Sequence, residues 1–145
     1  MAPAKIRILI VEDEPALLLS VSKLLQHRGF SVIQARDGSS ALELIRTRQD
    51  HIEAMLLDVT LPGASSREVL EEAERLRPDL VTILTSAYSY ESIRTSFAGL
   101  RAEHFIRKPF CVDDLVSLLQ TTLVARSSTV GAEWPEIGKA DTRGA

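Results

Sequence analysis

"AMLLDVTLPG", residues 54–63, decides the fold. An apolar run, Met55 to Leu57, closing the segment "IEAMLL" (Ile52 to Leu57), ends in one carboxylate, Asp58, and a Pro62-Gly63 turn follows. An unbroken apolar run closed by a turn reads as a strand buried on both faces. The acid then stands where the strand leaves the sheet.

Working outward, four more short runs are apolar and β-branched: "IRILIV" (Ile6 to Val11), "FSVIQA" (Phe30 to Ala35), "LVTIL" (Leu80 to Leu84) and "EHFIR" (Glu103 to Arg107). Helical spacing fills the gaps. Leu17, Leu18, Val21, Leu24 and Leu25 form one stripe, stopped by Gly29. Ala41, Leu42 and Ile45 form a second, entered from Asp37-Gly38. Val69, Leu70, Ala73 and Leu76 form a third, stopped by Pro78. Ile93, Phe97 and Leu100 form a thin fourth in a Ser/Thr-rich segment. Leu115, Val116, Leu118, Leu119 and Leu123 form a fifth, with Asp113 or Asp114 at its start. Strands alternating with helices predict an α/β protein: a doubly wound, flavodoxin-like, five-stranded parallel sheet of order 2-1-3-4-5, with helices on both faces. Ligands of such sheets sit beyond the carboxyl ends of the strands.

The chain has 145 residues, enough for one domain with a real core. Seventeen basic residues against 20 acidic ones give a net charge of -3, not the basic footprint of a nucleic-acid binder. The lone Cys111 excludes an intramolecular disulfide and a Cys-based zinc site. No apolar run reaches the ~18 residues that would propose a membrane span. The helical pattern stops near Ala125. Residues 1–126 therefore read as the domain, and 127–145 as a flexible C-terminal tail or truncated linker whose one large apolar residue is Trp134.

The predicted strands carry polar residues to one edge. The first ends in Glu12, Asp13 and Glu14, the third in Asp58, the fourth in Thr85 and Ser86, and the fifth leads to Lys108 before Pro109. Singly, each is an ordinary cap or turn residue. Together, the carboxylates repel unless they share a cation. Lys108 supplies one charge, and Mg²⁺, a hard ion that takes oxygen ligands, would supply more. His27, His51 and His104 fall outside this group and read as surface or packing residues.

The set "VEDEP", "LLDVTLPG", "LTSAY" and "FIRKPF" resembles the response-regulator receiver domain of two-component signalling, from about Lys5 to Ala125. The resemblance implies that Asp58 is the phosphoacceptor and that Mg²⁺ is held by Glu12, Asp13, Asp58 and the backbone carbonyl of Thr60. It implies that Ser86 is the switch hydroxyl, Lys108 the phosphoryl-pairing lysine, in a Lys-Pro bond that is often cis, and Phe105 the switch aromatic. Four positions depart from the family's habit. Glu12 stands where Asp is also common, Ser66 where Gly is frequent, Arg101 where a Gly is expected, and Phe105 in place of Tyr.

The implied function is that of a bacterial, cytoplasmic receiver in a phosphorelay. It takes a phosphoryl group from the phosphohistidine of a histidine kinase or phosphotransfer protein. It signals to a downstream protein through the fourth helix, fifth strand and fifth helix. It catalyses its own phosphorylation and dephosphorylation without turning over an independent substrate. No direct nucleic-acid or membrane contact is expected, and a homodimer is an option. The alternatives are a receiver excised from a hybrid histidine kinase, a metal-dependent phosphohydrolase, and a pseudo-receiver that never takes phosphate. The phosphohydrolase would usually carry an acid where Thr60 stands. The pseudo-receiver would usually lack Asp58 or Lys108.

Overall fold

The computed structural model describes residues 5–47, 52–61, 65–100, 102 and 104–128. The Pro62-Gly63 turn, Arg101, His51 and the segment with Trp134 lie outside them. The elements run β1 (Arg7–Val11), α1 (Pro15–His27), β2 (Ser31–Ala35), α2 (Gly38–Thr47), β3 (Ala54–Asp58), α3 (Ser66–Leu76), β4 (Val81–Ser86), α4 (Tyr90–Ile93), β5 (His104–Arg107) and α5 (Val112–Ser128). All pairings are parallel and the order is β2-β1-β3-β4-β5, as the alternation predicts.

Every residue of β3 and β4 is buried, which is why those runs are mostly apolar up to their polar carboxyl ends. Successive side chains point to opposite faces, so the sheet feeds two cores. Leu9, Val11, Met55, Leu57, Leu84 and Phe105 face a cluster with Val69, Leu70 and Ala73 of α3 and Ala41 and Ile45 of α2. Ile8, Ile10, Leu56, Val81, Ile83 and Ile106 face the other, with Leu18, Val21 and Leu25 of α1 and Leu115, Val116 and Leu119 of α5. Each Val, Leu, Ile, Met or Phe side chain among them, fully buried, contributes roughly 1.5–3 kcal/mol. The two faces together make the sheet the rigid mount for whatever its carboxyl edge carries.

The helix ends follow local chemistry. α1 begins with Pro15, whose missing N–H removes nothing a first turn would use. It ends before Gly29, which adopts φ +94°, a conformation that suits glycine. Asp37 Oδ1 accepts the Ser40 N–H at 2.7 Å at the start of α2, and that bond lowers the Asp37 carboxyl below its usual value. α3 opens with a capping box: Ser65 Oγ accepts the Glu68 N–H, and Glu68 Oε1 accepts the Ser65 N–H at 3.0 Å. Asp113 and Asp114 lie inside the first turn of α5 rather than before it. Asp113 pairs with Arg28, tying the end of α1 to the start of α5.

Two expectations change. The fourth helical segment is only one α-turn, continued by a 3₁₀ turn over Arg94–Phe97. Ser89 caps it by accepting the Ser92 N–H, and Gly99, at φ +85°, turns the chain away soon after. Three spaced apolar residues do not bury enough surface to carry a longer helix there. In α1, Leu24 is 44% exposed despite its place in the predicted stripe.

Candidate functional site

β1, β3, β4 and β5 end together, and the predicted polar residues converge there. The register sets Val11 beside Leu57 and Asp58 beside Thr85. Lys108 follows β5, and its N–H donates to the Ser86 carbonyl at 2.8 Å. That bond anchors the lysine's main chain to β4, immediately before a cis Lys108-Pro109 peptide.

Lys108 Nζ lies 2.8 Å from Asp58 Oδ2 and 2.8 Å from Glu12 Oε1. Both acids are deeply buried: Asp58 is 2% exposed and Glu12 4%. Asp58 Oδ1 accepts two further hydrogen bonds, from the Thr60 N–H at 2.9 Å and Thr60 Oγ1 at 3.0 Å. Glu12 Oε2 accepts the Glu14 N–H at 3.2 Å. Carboxylate oxygens of Glu12, Asp13 and Asp58 lie within 4.8 Å of one another, Asp13 on the exposed side.

The electrostatics follow from this crowding. Burial, with the Asp58 charge close by, raises the Glu12 carboxyl above its usual value, although Lys108 pulls it the other way. Burial alone would lower the Lys108 ammonium. Hydrogen bonds to Asp58 and Glu12 outweigh that and hold it above the usual lysine value. Three carboxylates against one ammonium leave the cluster short of positive charge. A set of hard oxygen donors with a surplus of negative charge fits Mg²⁺.

Ser86 stands at the end of β4, buried, and its Oγ accepts the Tyr88 N–H at 2.9 Å. That leaves the hydroxyl proton for another acceptor. No hydrogen bond joins it to Asp58 among the described residues. Phe105 is buried in β5, with its ring centroid 5.7 Å from that of Tyr90 in α4. His27 is exposed at the end of α1 and His104 is buried in β5; neither belongs to the cluster.

Two contacts carry no signal in the pattern of residues. The Thr60 side chain donates to Asp58, whereas the resemblance assigns a metal-holding role to its carbonyl alone. Ser66 Oγ donates to the Asp58 main-chain carbonyl at 2.5 Å. The Ser65-x-x-Glu68 spacing marks where α3 starts, but not what its first side chain reaches. Beside Lys108 opens a groove of about 700 Å³, walled by Leu17, Val21 and Leu24 of α1 and by Pro109, Phe110 and Val112.

The comparisons agree with this geometry. A model of the response regulator receiver domain matches residues 8–120. The probable transcriptional regulatory protein TcrX of Mycobacterium tuberculosis (strain ATCC 25618 / H37Rv) is 32% identical over 120 residues, 81% of this chain and 50% of that protein. The chain spans about half the length of the curated relatives it matches. Among solved structures, a CheY-like response regulator receiver domain protein from Methanospirillum hungatei JF-1 aligns with TM-score 0.76 at 32% identity, covering 86% of this chain and 98% of that one. The response regulator protein TrrA from Thermotoga maritima, solved in complex with Mg(2+)-BeF, aligns with TM-score 0.68 at 32% identity, over 80% of this chain and 97% of that one. A doubly wound sheet, an acidic edge bridged by a lysine, and a family match across most of the chain lead to one conclusion: the chain belongs to the response regulator receiver domain family of two-component signalling.

Proposed function

We propose that this receiver accepts a phosphoryl group on Asp58 from the phosphohistidine of a histidine kinase or phosphotransfer protein, with Mg²⁺, and signals by changed protein contacts. The observation that carries this is the bridge from Lys108 Nζ to Asp58 Oδ2 and Glu12 Oε1, both at 2.8 Å. It sets a cation beside a buried carboxylate at the sheet edge where ligands of this fold bind.

Phosphoryl transfer asks for positioning and for neutralisation of the equatorial oxygens. A carboxylate oxygen of Asp58 attacks phosphorus, and the bond from phosphorus to the donor nitrogen breaks as the imidazole leaves. Thr60 and Lys108 hold the Asp58 carboxylate in one orientation before the attack. Lys108 then has a phosphoryl oxygen to pair with, and Ser86 donates its hydroxyl proton to another. Glu12, Asp13, Asp58 and the Thr60 carbonyl would hold the metal. Bound there, Mg²⁺ supplies positive charge against the carboxylates and the incoming oxygens. TrrA, a receiver of like fold, is described with Mg(2+)-BeF, which supports this choice of ion.

The groove beside Lys108 offers an apolar landing surface for a phosphodonor. The output face is α4, β5 and α5. Phe105 has no phenol hydroxyl, so its part in switching is packing, and Tyr90 is the ring it packs on. The matched relatives are named as response regulators or regulatory proteins, which favours a response-regulator role over that of a hybrid-kinase receiver. Intact mass spectrometry tests the reading. With Mg²⁺ and acetyl phosphate or a phosphoramidate, the wild type gains one phosphoryl group and Asp58→Asn gains none. An unchanged wild-type mass with both donors refutes it.

A further inference from the structure

Asp58 is held by more than its carboxylate. The β1–β3 ladder closes at Val11–Leu57, so Asp58 lies one residue beyond the last pair with β1. On β4 it pairs with Thr85, and the Val59 N–H donates to the Thr85 carbonyl at 3.0 Å. The Asp58 main-chain carbonyl itself accepts the Ser66 hydroxyl at 2.5 Å. Ser66 is the first residue of α3 and is 3% exposed. The cap of that helix comes from Ser65 and Glu68, which leaves the Ser66 hydroxyl to the strand.

We propose that Ser66 is a positioning residue for phosphoryl transfer: by tying the main-chain carbonyl of Asp58 to the start of α3, it fixes where the Asp58 carboxylate stands between Lys108 and Thr60. The proposal rests on the reading of Asp58 as phosphoacceptor. Thr60 is two residues along the chain from Asp58 and moves with it. Lys108 reaches across on a flexible stem. The Thr85 carbonyl accepts the Val59 N–H and the Asp58 carbonyl accepts the Ser66 hydroxyl, so a packed strand and a packed helix hold successive main-chain groups. Without Ser66 the Asp58 carbonyl loses its tie to α3, and the strand end beyond the last β1 pair is freer to pivot. A glycine at this position, frequent in the family, makes no such bond. Displacement of a reacting group by ~1 Å lowers rates by up to about 100-fold.

The test compares Ser66→Ala, Ser66→Cys and Ser66→Thr with Val69→Ala, a buried core change in the same helix that leaves the site's contacts alone. Acetyl phosphate is titrated with Mg²⁺ present, under conditions where circular dichroism finds each chain folded. Ser66→Ala and Ser66→Cys should lower the maximal phosphorylation rate about 10-fold at unchanged half-saturating donor. Ser66→Thr, which keeps the hydroxyl, should recover most of the rate, and Val69→Ala should match wild type. In metal-free protein, the Val59 amide should exchange about 10-fold faster in Ser66→Ala than in Val69→Ala. Ser66→Cys, near in volume but a weak donor, gives the same reading if Ser66→Ala does not fold. Rates for Ser66→Ala and Ser66→Cys equal to that of Val69→Ala overturn the proposal. If wild type takes no phosphoryl group, the Asp58 reading fails. Exchange then decides on Ser66 by itself, and equal Val59 exchange in Ser66→Ala and Val69→Ala rejects the anchor.

Discussion

Replacing Lys108 by Met removes the cation from a buried acidic cluster while keeping much of the side-chain volume. Each of its two contacts is 2.8 Å long. At an effective dielectric near 20, one such contact is worth about 6 kcal/mol of attraction. Desolvation of the ammonium and of two buried carboxylates returns most of that. Breaking a buried pair by deleting one partner costs about 3–5 kcal/mol, and that is the expected loss for Lys108→Met at pH 7 without metal. The sign with pH follows from Glu12. Its carboxyl is already raised in the folded protein, by burial first. A raised carboxyl binds protons more readily folded than unfolded, so stability falls as pH rises from the unfolded value through the folded one. Without Lys108 that rise grows, so the deficit of the variant is largest at neutral pH and shrinks in acid. Urea denaturation from pH 4 to 8, with and without Mg²⁺, reads both effects. Millimolar Mg²⁺ should restore more stability to the variant than to wild type, because the metal no longer competes with the ammonium. A variant as stable as wild type at pH 7 in metal-free buffer refutes the claim that Lys108 holds the cluster together.

Two further outcomes are expected. His104 is 8% exposed, its Nδ1 has no hydrogen-bond partner among the described residues, and burial lowers its pKa to about 4. It is neutral when folded and protonates near 6.5 when unfolded, so its share of stability is complete above that value. That share falls as pH drops toward about 4, by about 3 kcal/mol in all; urea midpoints of His104→Phe and wild type that run parallel over this range contradict it. Hydrogen exchange across the segment from Tyr90 to Leu100 should be the least protected among the helical segments and should change on phosphorylation. Protection equal to that of α5, unaltered by acetyl phosphate with Mg²⁺, counts against that segment as the responding part.

Much of the fold is legible in the sequence because burial on two faces leaves a plain mark. β3 and β4 are buried throughout and mostly apolar until their carboxyl ends, and Gly29 and Pro78 end helices where a stop is expected. Strand order follows from handedness and short connections, which leave few arrangements for alternating strands and helices. The cluster of Glu12, Asp13, Asp58 and Lys108 is legible for a related reason: each ends or directly follows a strand, so placing the strands places the residues. α4 is not. Ile93, Phe97 and Leu100 keep helical spacing, yet one α-turn and a 3₁₀ turn suffice to bring all three against the core. Leu24 shares its stripe with buried residues but lies on the rim of the groove, where α5 does not cover it. In the sequence, Ser66 stands out only as a departure from a glycine frequent in the family. Its reach to Asp58 depends on the path of the chain between them, and no spacing rule encodes that.

The last strand, β5, pairs with β4 alone and brings Lys108 to the edge. During synthesis, the residues up to Ser86 emerge well before it. A chain at that stage already holds Asp58 and the other acids but lacks their counter-charge and the final edge of the sheet. The charge balance of the cluster is therefore completed last, by the docking of the most C-terminal strand.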